Sequence, residues 1–161
     1  MDLLKSVNYQ EQNVTPTNAF IINDNRFYEY AELIINQGYL VTLPRLLSFN
    51  SKVMKITGSI LTPYDVNFFL KLWTKGSCPK LRNLILQISV INFDLISENI
   101  FWVENTQRPV LSRNPKATHF TTPHDFYRFD GVYASIFAIR VEVREDGRPD
   151  FIHLEMRVLS E

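Results

Sequence analysis

The stretch from Lys52 to Ser89 constrains the fold more than any other part of this 161-residue chain. Val53, Met54 and Ile56 form a short β-prone run. Thr62-Pro63-Tyr64-Asp65 then supplies an N-cap residue, a proline in the first helical turn, where its missing N–H is not needed, and a carboxylate three residues after the cap. Val66, Phe69, Leu70 and Trp73 follow at i, i+3, i+4 and i+7, an apolar stripe opposed by Asn67, Lys71 and Lys75. Gly76 fits a left-handed helix stop, and Pro79 prevents resumption of the helix. Leu81 to Ile88 reads as a largely buried strand, too short for another helix. The order is strand, helix, strand.

Two pieces of this region are weakly alike, Val53-x-x-Ile56-x-Gly58 and Leu81-x-x-Leu84-x-Leu86, at a period of roughly 28 residues. They read either as a degenerate leucine-rich-repeat-like pair or as one βαβ unit with parallel strands and a right-handed crossover. Upstream, residues 1–19 are polar and aperiodic and are expected to form a loosely attached arm. Phe27, Tyr30, Ala31, Ile34 and Ile35 recur at helical spacing before Gly38, which predicts a helix capped by that glycine. A shorter helix is expected over Leu43 to Phe49, with Thr42 before it and Pro44 in its first turn.

Downstream, residues 104–124 show no usable period and read as a long loop. Beyond it the period becomes two, a meander over residues 125–159. Asp130-Gly131 predicts a tight hairpin, both residues taking positive φ in a type I′ turn. Pairing Val143 with Ile152 and Val141 with Leu154 sets Arg140 opposite Glu155 and leaves Asp146-Gly147-Arg148-Pro149 as the loop. The apolar parity switches between Ile136 and Val141, which predicts a bulge or break near Ala138. The fold class is therefore α/β (α+β): strand-helix-strand units followed by a C-terminal antiparallel meander, in one domain over residues 20–161.

Composition narrows the function. Seventeen Lys plus Arg balance seventeen Asp plus Glu, so no global field attracts phosphates or anionic lipid. Nucleic acid and membrane are not expected partners. No basic region followed by an apolar stretch opens the chain, and the longest apolar run, Leu84 to Ile91, is broken by Gln87 and far short of the roughly twenty residues of a span. The expected address is cytoplasm or nucleus, where the sequon Asn13-Val14-Thr15 has no role. One cysteine cannot make an internal bridge, and 45% hydrophobic residues exclude a disordered segment.

Chemistry is sparsely signalled. Cys78 follows the C-terminus of the expected helix, where the partial negative charge opposes thiolate formation, so a Cys78, histidine and Asp125 nucleophilic constellation is disfavoured. His119, His124 and Asp125 are near enough in sequence to raise metal ligation, but a four-residue gap between loop histidines does not by itself aim both rings at one ion. His153 alternates with apolar residues on the outer face of a strand. Glu142 and Glu155 are explained by cross-strand pairing with arginines. No phosphate-binding glycine loop or nucleophile elbow occurs. Arg108, Arg113 and Lys116 lie in an acid-free stretch, Asn105 to Phe120, which makes them the candidate partner-binding residues for an acidic peptide or phosphoprotein. No cofactor is implied.

Two signatures carry a resemblance. Leu43-x-x-Leu46-Leu47-Ser48-Phe49-Asn50-Ser51-Lys52 continues into Ser59-x-Leu61-Thr62-x-x-Asp65-Val66-Asn67-x-Phe69-Leu70-Lys71-x-Trp73-x-x-Gly76-Ser77-x-Pro79-Lys80-Leu81. Later comes Asp125-x-x-Arg128-x-Asp130-Gly131-x-x-Ala134-x-Ile136, and the run Phe151 to Val158 suits a closing strand. Together they resemble the type 2 F-box-associated domain of nematode proteins over roughly residues 40–158. Trp73, Gly76, Asp130 and Gly131 have structural explanations as core anchor, helix stop and turn, and none is assigned to a binding site.

The resemblance implies a protein-binding module and not an enzyme, the part that presents substrates in a cullin-type ubiquitin ligase. The residues before the first signature show no F-box pattern, so adaptor docking would need an F-box supplied elsewhere. The expectation is either one part of a longer protein or a stand-alone relative, which could act as a structural or decoy binder. A small hydrolase or metal enzyme is the third reading.

Overall fold

The computed structural model describes residues 31–105, 117–120, 122–141 and 151–159. The arm expected over residues 1–19 lies outside them. Strands β1 (Glu32–Ile35), β2 (Val53–Ile56), β3 (Asn83–Ile88), β4 (Trp102–Glu104), β5 (Ala117–Phe120), β6 (His124–Tyr127), β7 (Tyr133–Val141) and β8 (Phe151–Val158) form one mixed sheet. Its order is β1-β2-β3-β8-β7-β6-β4, with β5 also paired to β7. β1, β2 and β3 are parallel, registered Leu33↔Met54↔Leu84, and β8 joins β3 antiparallel with Leu86 opposite Leu154. The expected strand-helix-strand unit and antiparallel meander are both present.

Helices α1 (Leu43–Ser48), α2 (Pro63–Thr74) and α3 (Phe93–Ile96) contribute to one core against one face of the sheet. Val66, Phe69, Leu70 and Trp73 of α2 pack in the same cluster as Met54, Ile56, Leu84, Leu86, Leu154, Met156, Phe126 and Ile136. α2 starts where the capping box places it. Thr62 accepts from the Asp65 N–H at 3.2 Å and Asp65 accepts from the Thr62 N–H at 2.8 Å, a pairing worth about 1 kcal/mol.

Asn67 departs from the polar face expected for it. It is only 6% exposed, and its side-chain amide donates to the Ile96 and Glu98 carbonyls, both at 2.9 Å. Those groups at the end of α3 have no further helical turn to bond, so a polar side chain on the core side of α2 satisfies them.

The helix expected around Phe27 to Ile35 is not formed over its described part, where Glu32–Ile35 is strand β1. Leu33 and Ile35 turn toward the core and Ile34 is exposed, a period of two. Pairing with β2 overrides the helical spacing: Val53 N–H donates to the Ala31 carbonyl and Thr57 N–H to that of Ile35. Gly38 is no helix stop either. A Cβ there would lie 2.6 Å from both Ile56 Cγ2 and the Thr57 carbonyl, so the glycine permits close approach of two chain segments.

The C-terminal half brings four more corrections. The β6–β7 connection is a three-residue loop, with Arg128 N–H donating to the Val132 carbonyl and Gly131 N–H to that of Arg128. Only Gly131 has positive φ, +85°; Asp130 does not, so this is a turn closed by a left-handed glycine and not the two-residue type I′ form. β7 and β8 pair Val141↔Phe151, Arg140↔Ile152 and Phe137↔Glu155, so the expected register is wrong and residues 142–150, outside the described set, connect the strands. β7 also runs past Ala138 without a break. Ala134 and Ile136 are buried on the helix side, and Ser135, Phe137 and Ile139 are buried on the other, so an inner strand needs no parity switch. Finally, the loop expected over 104–124 contains β5 and the first residue of β6.

Gly76 has φ +99° and would place a Cβ 2.6 Å from the Phe129 ring, whereas Gly131 faces open space. Urea denaturation should therefore show Gly76→Ala destabilised by about 2 kcal/mol or more and Gly131→Ala by about 1 kcal/mol, from backbone strain alone. Equal losses would contradict the Phe129 contact.

Candidate interaction surface

The space among Leu70, Phe93, Ile96, Trp102, His124 and Phe126 is too small for a substrate. It amounts to about 10 Å³, room for one water, against the roughly 300 Å³ at the lower end of ligand pockets. His124 is held by its neighbours there. Its ring stacks on Phe93 with centroids 4.7 Å apart, lies 4.2 Å from that of Trp102, and its Nδ1 is 2.9 Å from the Thr122 carbonyl oxygen.

Asp125, the next residue in β6, points to the opposite face and accepts from the Asn105 side-chain amide at 2.8 Å. The two residues therefore do not converge on one ion. His119 lies in β5. Among the described residues, no group of three or more His, Cys, Asp and Glu is placed to hold a metal.

Cys78 is buried in the bend after α2, at φ +51°, with Sγ 3.9 Å from the Leu47 carbonyl oxygen. Burial pushes its thiol up to about 11, in the direction expected from its position after the helix but by desolvation. A nucleophile needs the opposite shift.

Among the described residues, exposed apolar side chains gather in two places, apart from Ile34, Phe68 and Phe129. The first is a row across β4, β6 and β7 on the face opposite the helices. Val103 is registered with Asp125, and Tyr127 with Tyr133. Phe101 precedes β4 on the same parity as Val103. Phe101 is 81% exposed, Tyr127 55% and Val103 50%, and the Tyr127 and Tyr133 rings lie 5.8 Å apart. Rigid aromatic side chains of this kind carry much of the binding energy in protein interfaces.

The second place is the edge formed by the carboxyl ends of β1, β2 and β3. Hydrogen bonds lace its loops: Gly38 N–H to the Thr57 carbonyl, Ser59 N–H to the Gln87 carbonyl, and Gly58 N–H to Gln87 Oε1. Tyr39, Leu40, Ile60, Tyr64 and Val90 are all exposed there. Residues 36–42, 57–64 and 87–92 include no Asp, Glu, Lys or Arg. Such a rim gives no electrostatic purchase on phosphate.

Arg108, Arg113 and Lys116 lie outside the described residues. Neither apolar surface was singled out from sequence. The run Phe101-Trp102-Val103 carried a signal, but alternation alone does not say which face of an edge strand stays uncovered.

The charged part of the face opposite the helices is self-paired. Glu155 accepts from Arg157 Nε at 2.6 Å, and the Arg157 guanidinium lies 4.9 Å from the Phe137 ring centroid. His153, beside them on β8, has its pKa held below the ordinary 6.5 by burial and by the Lys55 charge, against an opposing pull from Glu155.

Among known protein families, the F-box associated model, type 2, matches residues 18–86, covering the whole of the first signature and ending within β3. No curated protein and no solved structure matches the chain. No helix among the described residues is long and apolar enough to cross a membrane.

Two measurements check the titrations. A depressed folded-state pKa at His153 means that the unfolded chain binds more protons below pH 6.5, so stability contributed by this group is complete above that pH and is lost as pH falls through the folded value. His153→Gln should flatten the fall in urea midpoint between about pH 7 and 5. An unchanged slope would remove His153 as its source. Cys78 should resist alkylation at about pH 8 in the native chain and react on denaturation; rapid native reaction would contradict its burial.

Proposed function

We propose that this chain is a protein-recognition module that binds client proteins for a cullin-type ubiquitin ligase and performs no chemistry itself. The F-box associated match over residues 18–86 carries this reading. The exposed row of Phe101, Val103 and Tyr127, with the half-buried Tyr133 beside Tyr127, supports it by supplying contact chemistry suited to a protein surface. The module works by positioning. Its aromatic side chains desolvate against a client, while ubiquitin transfer belongs to other subunits.

The reading includes one domain over residues 20–161, an intracellular address, and an F-box-bearing link to the ligase adaptor. Strands β2 and β3 pair thirty residues apart while their similar runs recur at roughly 28, so one βαβ unit is the reading kept and a degenerate leucine-rich-repeat-like pair is its alternative. Arg108, Arg113 and Lys116 form a proposed auxiliary contact for acidic or phosphorylated segments of the client. A decoy role, binding clients without delivering them, is the alternative when no ligase subunit accompanies the clients.

Affinity capture from a nematode extract, with quantitative mass spectrometry, tests this. The native chain should retain a defined client set that Phe101→Ala with Tyr127→Ala reduces by about tenfold or more, a loss of about 1.4 kcal/mol. Arg108→Glu with Arg113→Glu and Lys116→Glu should reduce it less. No specific client with the native chain would overturn the recognition function, and adaptor or cullin subunits among the captured proteins would favour delivery over the decoy.

A further inference from the structure

We infer that β4 is a receptor edge, and that the client segment it takes is an extended strand with apolar residues at alternate positions. This rests on the recognition reading above and specifies the form of its partner. Among the described residues, β4 ends the sheet, with β6 on one side and no strand on the other. Asn105 N–H donates to the Pro123 carbonyl at 2.9 Å on the β6 side. The alternation of an antiparallel ladder then turns the backbone groups of Val103 toward β6 and those of Trp102 and Glu104 outward.

Sheet edges are ordinarily protected by lysine, proline or inward charge. Here the run is Phe101-Trp102-Val103-Glu104, with neither lysine nor proline and with two of its large side chains exposed. The edge and the aromatic row adjoin. A strand laid along β4 would exchange main-chain hydrogen bonds with Trp102 and Glu104, and every second side chain would fall on the face that carries Phe101, Val103 and Tyr127.

A helix presented to the same place would leave those outward backbone groups unanswered. β4 spans only three residues, so main-chain pairing alone would be weak. The apolar row supplies the remaining contact area, which is why the inferred partner alternates apolar residues. β1, the opposite edge, offers Glu32 and Ile34 on the corresponding face and no aromatic row.

The test is selection of seven-residue peptides from a displayed random library on the full chain, followed by titration of the best synthetic binder against the isotope-labelled protein. Enriched peptides should alternate apolar residues, and binding should shift the amide signals of Trp102 and Glu104 and slow their hydrogen exchange. N-methylation of alternate peptide amides should weaken binding by at least tenfold, as should Phe101→Ala with Tyr127→Ala, while Tyr64→Ala leaves it unchanged. Failure to select binders, tolerance of N-methylation, signals shifted elsewhere, or dimerisation of the chain through β4 would each overturn the inference. Client capture that survives any of these results would leave the recognition function standing without strand addition; strand binding without specific client capture would separate them the other way.

Discussion

The rest of the structure depends on how the last turn of α2 is closed. A helix ends with four carbonyls that have no partner within it, and here each finds one. The Thr74 hydroxyl donates to the Lys71 carbonyl, Ser77 N–H to Leu72 and Gly76 N–H to Trp73, while Phe129 N–H, from the turn between β6 and β7, donates to Thr74 at 2.9 Å. The last bond comes from a residue 55 positions away in sequence. The same turn places the Arg128 guanidinium 5.3 Å from the Trp73 ring centroid and seats the Phe129 ring where any side chain on Gly76 would stand. Asp130 fixes Arg128 through two 2.8 Å hydrogen bonds, and that contact holds the Asp130 carboxyl below its usual pKa. A cation near a helix C-terminus is also favoured by the dipole.

This closure joins the N-terminal and C-terminal parts of the chain into one core. Trp73 meets Phe126 edge to face at 5.4 Å, and the strand that follows α2 finds its second neighbour in β8, almost at the end of the described chain. The family match ends at residue 86, inside β3, so the matched segment lacks the strand that covers β3 on one side. The proposed recognition surface is tied to the same geometry. Tyr127 and Tyr133 flank the turn that α2 anchors, and β4 is positioned by pairing with β6.

The parts legible in sequence were those dictated locally. The capping box at Thr62 and the stripe from Val66 to Trp73 need nothing beyond their own neighbours, the stop at Gly76 is marked locally although Phe129 completes it, and α1 and α2 begin where expected. What failed depended on distant partners. Glu32–Ile35 became a strand because β2 lies beside it, Asn67 turned inward because α3 ends nearby, and the β7–β8 register followed burial of both faces of β7 instead of charge pairing at Arg140. The turn at Asp130-Gly131 was placed correctly but misassigned in type, since Asp130 is engaged by Arg128 at negative φ. The aromatic row was invisible for a related reason. Periodicity marks which residues share a face and is silent on whether anything covers it.

The central claim is that Lys52–Ile88 and His124–Val158 form one cooperative unit through the α2 closure and the β3–β8 pair. Native-state hydrogen exchange across a urea series measures it directly, through the opening free energies of amides in β2, β3, β7 and β8. Convergence of all four strands on one global opening free energy is the expected result. Exchange of β7 and β8 at markedly lower urea, with β2 and β3 still protected, would contradict it and make the N-terminal half an independent folding unit.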